Sequence, residues 1–272
     1  MGGFRARVVA TDLDGTIVRS DGSVSPRTVA ALAAAERAGA HIVLVTGRPP
    51  RWMRPIAEAV GHRGVALCAN GAMVYDLHDE RVISARMIDV ETLAEAVARL
   101  RPLLPGAGLA VEYPDGMVAE AAYDLSGWDN VDTVLHQAEG AELVAKPCAK
   151  LLVRDRELAA DDLLTVVRGA LDGLLTPTHS NGHRLVEISA LGVDKATALA
   201  AFCAERGITA EEVVAFGDMP NDLPMLGWAG TAYAVANAHP EVLAAVSEHT
   251  ASNEDDGVAR VLERIFGEEV AV

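Results

Sequence analysis

Basic side chains are in short supply. The 272-residue chain sets 23 Lys and Arg against 39 Asp and Glu, a formal net charge of −16. A polyanion is normally met by a basic face that releases counterions, so nucleic acid is excluded as a partner. Cysteine is scarce as well: Cys68, Cys148 and Cys203 are widely spaced and never form a C-x-x-C pair. That pattern excludes a disulfide framework or a zinc cluster and predicts small buried thiols in a reducing compartment. Membrane-length apolar runs are missing, because Glu36, Arg37 or Glu205 interrupts the most apolar segments. The opening MGGFRARVVATD contains no apolar stretch of signal-peptide length, so a soluble, cytoplasmic protein is expected, with no membrane partner. Internal repeats and low-complexity linkers are absent, and Trp52, Trp128 and Trp228 recur at no regular spacing, which suits packing better than ligand stacking.

What is present is an apolar half, 50% of the residues, enough for one large core or two modest ones. The first eighty or so residues alternate short β-rich runs with helical patterns, the mark of a parallel sheet covered by crossover helices. RVVAT reads as a strand. Ser25-Pro26 supplies an N-cap and a first-turn proline for a helix that Gly39 stops. HIVLVT is the next strand, RWMRPIAEAVG a helix that Pro55 kinks or starts, and VALCANGAMVYD a third strand-like run. From about Arg81 to Ser189 the pattern changes. GLAVEYPDGMVAEA and LTPTHSNGHRLVEIS read as hairpins around Pro-Asp-Gly and Asn181-Gly182, with helical patterns at DVETLAEAVARLRPLL and RELAADDLLTVVRGALDG. This predicts an antiparallel sheet with helices on one face, inserted into the first fold. Afterwards the alternation resumes with the helix VDKATALAAFCAERG, a Thr209/Glu212 capping box, the strands EVVAFGD and TAYAV, and a closing helix at DDGVARVLERIFG. The fold class is therefore α/β: a Rossmann-like parallel-sheet core, residues 1–81 and 189–272, carrying an inserted α+β cap over residues 82–188.

In an open parallel sheet, ligands collect at the carboxyl ends of the strands. Asp12 and Asp14 follow the first apolar run, Thr46-Gly47-Arg48 the second, and Gly217-Asp218 one near the end. Any one of these is ordinary turn chemistry. Together they are not, because Asp12, Asp14, Asp218 and Asp222 at one end of a sheet would raise each other's pKa and weaken folding. Such a cluster calls for a cation. All-oxygen ligation with open positions suits Mg²⁺ better than Ca²⁺, and zinc would want His or Cys, neither of which is adjacent. An open Mg²⁺ binds phosphate oxygens, and Thr46 offers a hydroxyl, Gly47 an accessible N–H and Lys195 a charge at a helix N-terminus. The implied ligand is a phosphoryl group on a small molecule.

Four segments, D-L-D-G-T at Asp12 to Thr16, T-G-R at Thr46 to Arg48, G-V-D-K at Gly192 to Lys195 and G-D-M-P-N-D at Gly217 to Asp222, resemble in this order the motifs of the haloacid dehalogenase superfamily of phosphatases. CANGA at Cys68 to Ala72, VANAHPEV at Val235 to Val242 and SNEDDGVARVLE at Ser252 to Glu263 are similar to the Cof-type subgroup with a large α/β cap. The resemblance implies that Asp12 attacks phosphorus to give an aspartyl-phosphate. Asp14 would protonate the leaving alcohol and then activate water. Asp12, the Asp14 carbonyl and Asp218 would hold Mg²⁺, with Asp222 orienting metal-bound water or Lys195. Thr46 and Lys195 would take the phosphoryl oxygens, and Asn221 would line the same pocket. Gly15 would give the tight turn and Thr16 would cap or brace it. Turn preference alone leaves Asn70 equally a turn residue or a substrate neighbour, and Arg48 a substrate ligand or a surface charge.

The cap would exclude water and supply specificity contacts. Its candidates are Glu112, Lys146, Lys150, His179, His183 and Arg184, with His183 the preferred one. The resulting expectation is a Mg²⁺-dependent phosphomonoesterase for a sugar phosphate or a nucleotide or cofactor phosphate. A phosphotransferase of phosphohexomutase type would share every core motif, and a catalytically quiet phosphate sensor is the rival from another class. The latter has no need for both Asp12 and Asp14.

Overall fold

The run after Arg7 is buried on every side, as a strand between two helix layers must be: all four residues of β1 (Val8–Thr11) are inside. The computed structural model, which describes residues 6–124, 135–138, 140–180 and 184–267, builds outward from that strand. Ser25 caps α1 (Pro26–Arg37) by accepting from the Thr28 N–H, Pro26 occupies the first turn, and Gly39 leaves with φ of 92°. β2 (His41–Val45) lies parallel to β1. Pro55 starts rather than kinks the next helix, standing in the first turn of α2 (Arg54–Ala59) after a 3₁₀ turn at Pro50–Trp52. The run VALCANGAMVYD is two strands, not one. Ala69, Asn70 and Gly71 take φ of 53°, 57° and 94°, and these left-handed residues reverse the chain between β3 (Val65–Cys68) and β4 (Met73–Asp76). β5 (Arg81–Ala85) then pairs antiparallel with β4.

The inserted segment holds α3 (Val90–Leu100), β6 (Gly108–Tyr113), β7 (Gly116–Ala119), β8 (Leu135–Gln137), β9 (Lys150–Arg154), α4 (Ala160–Leu171), β10 (Leu175–Thr178) and β11 (Leu185–Ala190). Its strands form one sheet in the order β10-β11-β9-β6-β7-β8. The strands of both expected hairpins pair antiparallel, β6 with β7 and β10 with β11, while β8 departs from the antiparallel expectation by pairing parallel to β7. Leu93, Leu100, Leu163 and Val167 of the helices share a core with Val111, Leu151, Val153, Val186 and Ile188 of the sheet. Side chains alternate along a strand, so the opposite face carries Glu112, Lys150, Glu187 and Ser189, all buried.

The chain then returns through α5 (Lys195–Ala204), β12 (Val213–Gly217), α6 (Leu223–Trp228), β13 (Thr231–Val235), α7 (Pro240–Ala245), β14 (Glu248–Thr250) and α8 (Gly257–Phe266). The Thr209/Glu212 capping box closes a 3₁₀ turn, Ala210–Glu212. The second sheet runs β14-β13-β12-β1-β2-β3-β4-β5, parallel from β14 to β3. Thr11 is in register with both Leu44 and Phe216, so β1, β2 and β12 end at one level, where the strand order changes direction. The three cysteines are free and buried, as expected. Among the described residues no helix is long and apolar enough to cross a membrane.

Candidate active site

Because those strands end level, Asp12, Thr46 and Asp218 leave them at one rim. Asp12 is buried, and its N–H donates to the Phe216 carbonyl at 3.0 Å, which continues the ladder one residue past β1. Leu13 turns into the core with no exposure, while Asp14 faces out with 56% of its side chain exposed. Alternation thus separates two carboxylates two residues apart into a buried and an accessible one. The chain tightens at once, with the Leu13 carbonyl accepting from Thr16, Ile17 and Val18. Gly15 makes this turn at φ of 83°, and a Cβ there would lie 2.3 Å from Asp218 Oδ2.

Asp218 arrives from β12. Its Oδ1 accepts from the Thr16 hydroxyl at 3.0 Å, which ties the turn after β1 to the end of β12. Asp222 is fully buried: Oδ2 accepts from the Asp218 and Met219 N–H groups at 3.0 Å each, and Oδ1 from Lys195 Nζ at 2.6 Å. Lys195, 1% exposed, opens α5, whose N-terminus Asp194 caps; its Nζ also donates to Asp12 Oδ1 at 2.6 Å. One oxygen each of Asp12, Asp218 and Asp222 lies within 4.8 Å of the others.

One ammonium among these carboxylates leaves a deficit of positive charge. Burial drives the Asp12 pKa well above the carboxylate range; Lys195 opposes the rise, and Asp222, Asp218 and Asp14 add to it. Burial and then Asp222 push Asp218 up to about 7. Burial works against the Lys195 charge, but Asp12 and Asp222 outweigh it and raise its pKa above the ordinary lysine value. A pocket of oxygen donors that repel one another, without His or Cys in the cluster, fits a hard divalent cation. A Cβ at Gly15 would therefore displace the Asp218 carboxylate, and Gly15→Ala should weaken binding of a divalent cation by about tenfold or more, read from a metal titration.

The other predicted residues converge on the same rim. Thr46 is buried, and its Oγ1 accepts from the Arg48 N–H at 3.0 Å. Arg48 is half-buried and paired: its guanidinium makes two hydrogen bonds, of 2.8 and 2.5 Å, to Asp14. Asn70 is a turn residue with φ of 57°, buried, with its Oδ1 accepting from Asn221 Nδ2 at 3.1 Å. The cap candidates divide. Lys150 donates to the Gly47 carbonyl at 2.8 Å, and Glu112 pairs with Arg51. His179 is buried against Asp161, its ring 6.4 Å from that of His239, whose N–H donates to the Asp218 carbonyl. Lys146 lies over the Tyr113 ring and Arg184 bonds the Arg156 carbonyl, both exposed. His183, with the Asn181-Gly182 turn, lies outside the described residues. Sequence reasoning missed Glu187, which pairs with Lys150 and accepts from Asn70 Nδ2 at 3.2 Å, and Arg51. The signal for Glu187 was a lone carboxylate within the apolar strand RLVEIS.

A family model for haloacid dehalogenase-like hydrolases matches residues 9–262. The chain belongs to that family. The pyridoxal phosphate phosphatase YbhA of Escherichia coli K12 is 29% identical over 271 residues, covering 94% of this hydrolase and 97% of YbhA. A phosphoglycolate phosphatase of Methanothermobacter thermautotrophicus is 26% identical, with 96% and 99% covered. The HAD subclass IIB sugar phosphatase BT4131 superimposes with a TM-score of 0.80 at 22% identity, covering 95% of this chain and 98% of that one. That likeness is one of fold, and it extends to the large α/β cap.

Proposed function

We propose that this phosphatase hydrolyses the phosphomonoester of a small metabolite with the help of Mg²⁺, through an aspartyl-phosphate on Asp12. The observation that carries the reading is the buried cluster of Asp12, Asp218 and Asp222 around Lys195, beside an accessible Asp14. Asp12, the Asp14 carbonyl and Asp218 would hold the cation, which when bound neutralises charge between the attacking carboxylate and the phosphoryl oxygens. Asp222 has both oxygens engaged, so it serves the site by fixing Lys195 and the loop at Asp218 and Met219. Asp12 Oδ attacks phosphorus, and the leaving oxygen takes the proton of Asp14, a role that requires Arg48 to release that carboxylate first. Asp14 then withdraws a proton from the water that hydrolyses the acyl phosphate. Thr46 donates its hydroxyl hydrogen, the Gly47 N–H and Lys195 lie against the phosphoryl oxygens, and Arg48, Asn70 and Asn221 line the pocket.

Residues 82–188 act as the lid, with β5 tying its first crossing to the edge of the core sheet. Relatives named for pyridoxal phosphate and phosphoglycolate, and a fold neighbour named as a sugar phosphatase, support a small phosphorylated substrate: a sugar phosphate, or a nucleotide or cofactor phosphate. The three reduced, buried thiols suit the cytoplasm. The test is release of phosphate from p-nitrophenyl phosphate with Mg²⁺ and with excess chelator. Turnover in the first and none in the second is expected; equal turnover in both would refute the metal assignment.

The same cluster predicts how stability depends on pH and metal. Asp218 binds its proton with a pKa of about 7 in the folded chain against an ordinary 3.8, so the metal-free fold holds more protons than the unfolded chain. The stability this contributes is complete below about 3.8 and is lost as pH rises through about 7. A cation replaces the lost protons. Adding Mg²⁺ should therefore raise Tm more at pH 8 than at pH 5, measured by thermal unfolding in matched buffers.

A further inference from the structure

We propose that Lys150 and Glu187 of the lid are positioning residues, a buried pair that sets the Thr46 hydroxyl and the Asn70 side chain for phosphoryl binding. The pocket is then complete only when the lid sheet is seated on the core. The proposal rests on the phosphatase reading above and adds to it.

Lys150 stands on β9 and Glu187 on β11, on the sheet face away from the lid helices, and both are buried. Lys150 Nζ donates to Glu187 Oε1 and, at 2.8 Å, to the Gly47 carbonyl. That carbonyl shares one peptide plane with the Arg48 N–H, which donates to Thr46 Oγ1 at 3.0 Å. A planar unit bonded on both edges cannot rotate without breaking one bond. By engaging a lone pair of Thr46 Oγ1, it leaves the hydroxyl hydrogen to a ligand. Glu187 Oε2 accepts from Asn70 Nδ2 at 3.2 Å, which turns Asn70 Oδ1 toward Asn221 Nδ2 at 3.1 Å. A Cβ on Gly47 would lie 3.5 Å from both Glu187 oxygens, so the carboxylate sits directly over the T-G-R loop. A buried ion pair is a poor source of stability, since an apolar pair of similar volume holds two surfaces together as well or better. What the ion pair supplies is directed hydrogen bonds; beside a bond from Ser180 to Glu187, these run to the Gly47 carbonyl and to Asn70, in the phosphoryl-binding loops.

The experiment is a mutant cycle. Lys150→Met alone strands a buried carboxylate, so the primary variant is Lys150→Met/Glu187→Gln, which removes both charges and should unfold close to wild type. Its kcat/KM on p-nitrophenyl phosphate should fall by about tenfold or more, mainly in kcat, as expected when a binding hydroxyl is misplaced. In a Thr46→Val/Asn70→Ala background the same two changes should have an effect of no more than about twofold, because their targets are gone. Where turnover in that background is too slow to follow, the cycle is read in the dissociation constant of inorganic phosphate. A double variant within about twofold of wild type overturns the proposal. So does a loss repeated in full in the Thr46→Val/Asn70→Ala background, which marks a purely structural role. Failure of the phosphatase reading shows separately, as wild-type turnover that survives Asp12→Asn.

Discussion

Asp12→Asn is expected to lower kcat on p-nitrophenyl phosphate by on the order of 10⁴-fold or more while the protein stays folded. The substitution is nearly isosteric and keeps one oxygen, so packing at the end of β1 is preserved. What is lost is the carboxylate oxygen proposed above as the nucleophile. Stability should hold or rise, because burial and three neighbouring carboxylates already disfavour the charged form of Asp12, and Lys195 keeps its bond to Asp222. Steady-state kinetics and thermal unfolding on the same preparation test both halves. A variant that keeps a tenth or so of wild-type turnover would remove Asp12 from the chemistry.

The second large effect is at Lys195, and it falls on stability and activity together. Lys195→Met leaves Asp12 and Asp222 buried without the cation that each meets at 2.6 Å. Breaking a buried pair by removing one partner typically costs about 3–5 kcal/mol, and losing a charged contact to the phosphoryl oxygens should lower kcat by about 10²–10³-fold. The stability deficit should shrink at pH 5, where the raised pKa values let Asp12 and Asp218 take up protons, and shrink with added Mg²⁺. Denaturant unfolding at two pH values measures this. A deficit independent of both pH and metal would mean that Lys195 is packing rather than charge compensation.

The core of the site was legible because parallel sheets bring distant strand ends together without help from side-chain pairing. Asp12, Thr46 and Asp218 could be placed at one rim from the alternation of runs alone, and Lys195 from its helix N-terminus. Ser25-Pro26 and Gly39 marked α1 because capping is local chemistry. What escaped was non-local or left-handed. Asn70-Gly71 signals a turn, but nothing in VALCANGAMVYD announces that Ala69 also takes positive φ, since that conformation is imposed by the reversal between β3 and β4. Glu187 and Lys150 meet only once β9 pairs with β11, and Arg48 finds Asp14 only once β1 and β2 are in register. The same dependence on pairing hid β5 at the edge of the core sheet and the parallel partner of β8.

The central claim is that the phosphoryl group passes through Asp12, and the most direct test is acid quench during turnover of p-nitrophenyl phosphate with Mg²⁺, followed by peptide mass mapping. The account predicts one phosphoryl group on the peptide containing Asp12, accumulating further in Asp14→Asn, where activation of the hydrolytic water is impaired. A phosphoryl group on another residue, or turnover by Asp14→Asn with an unlabelled Asp12, would contradict it.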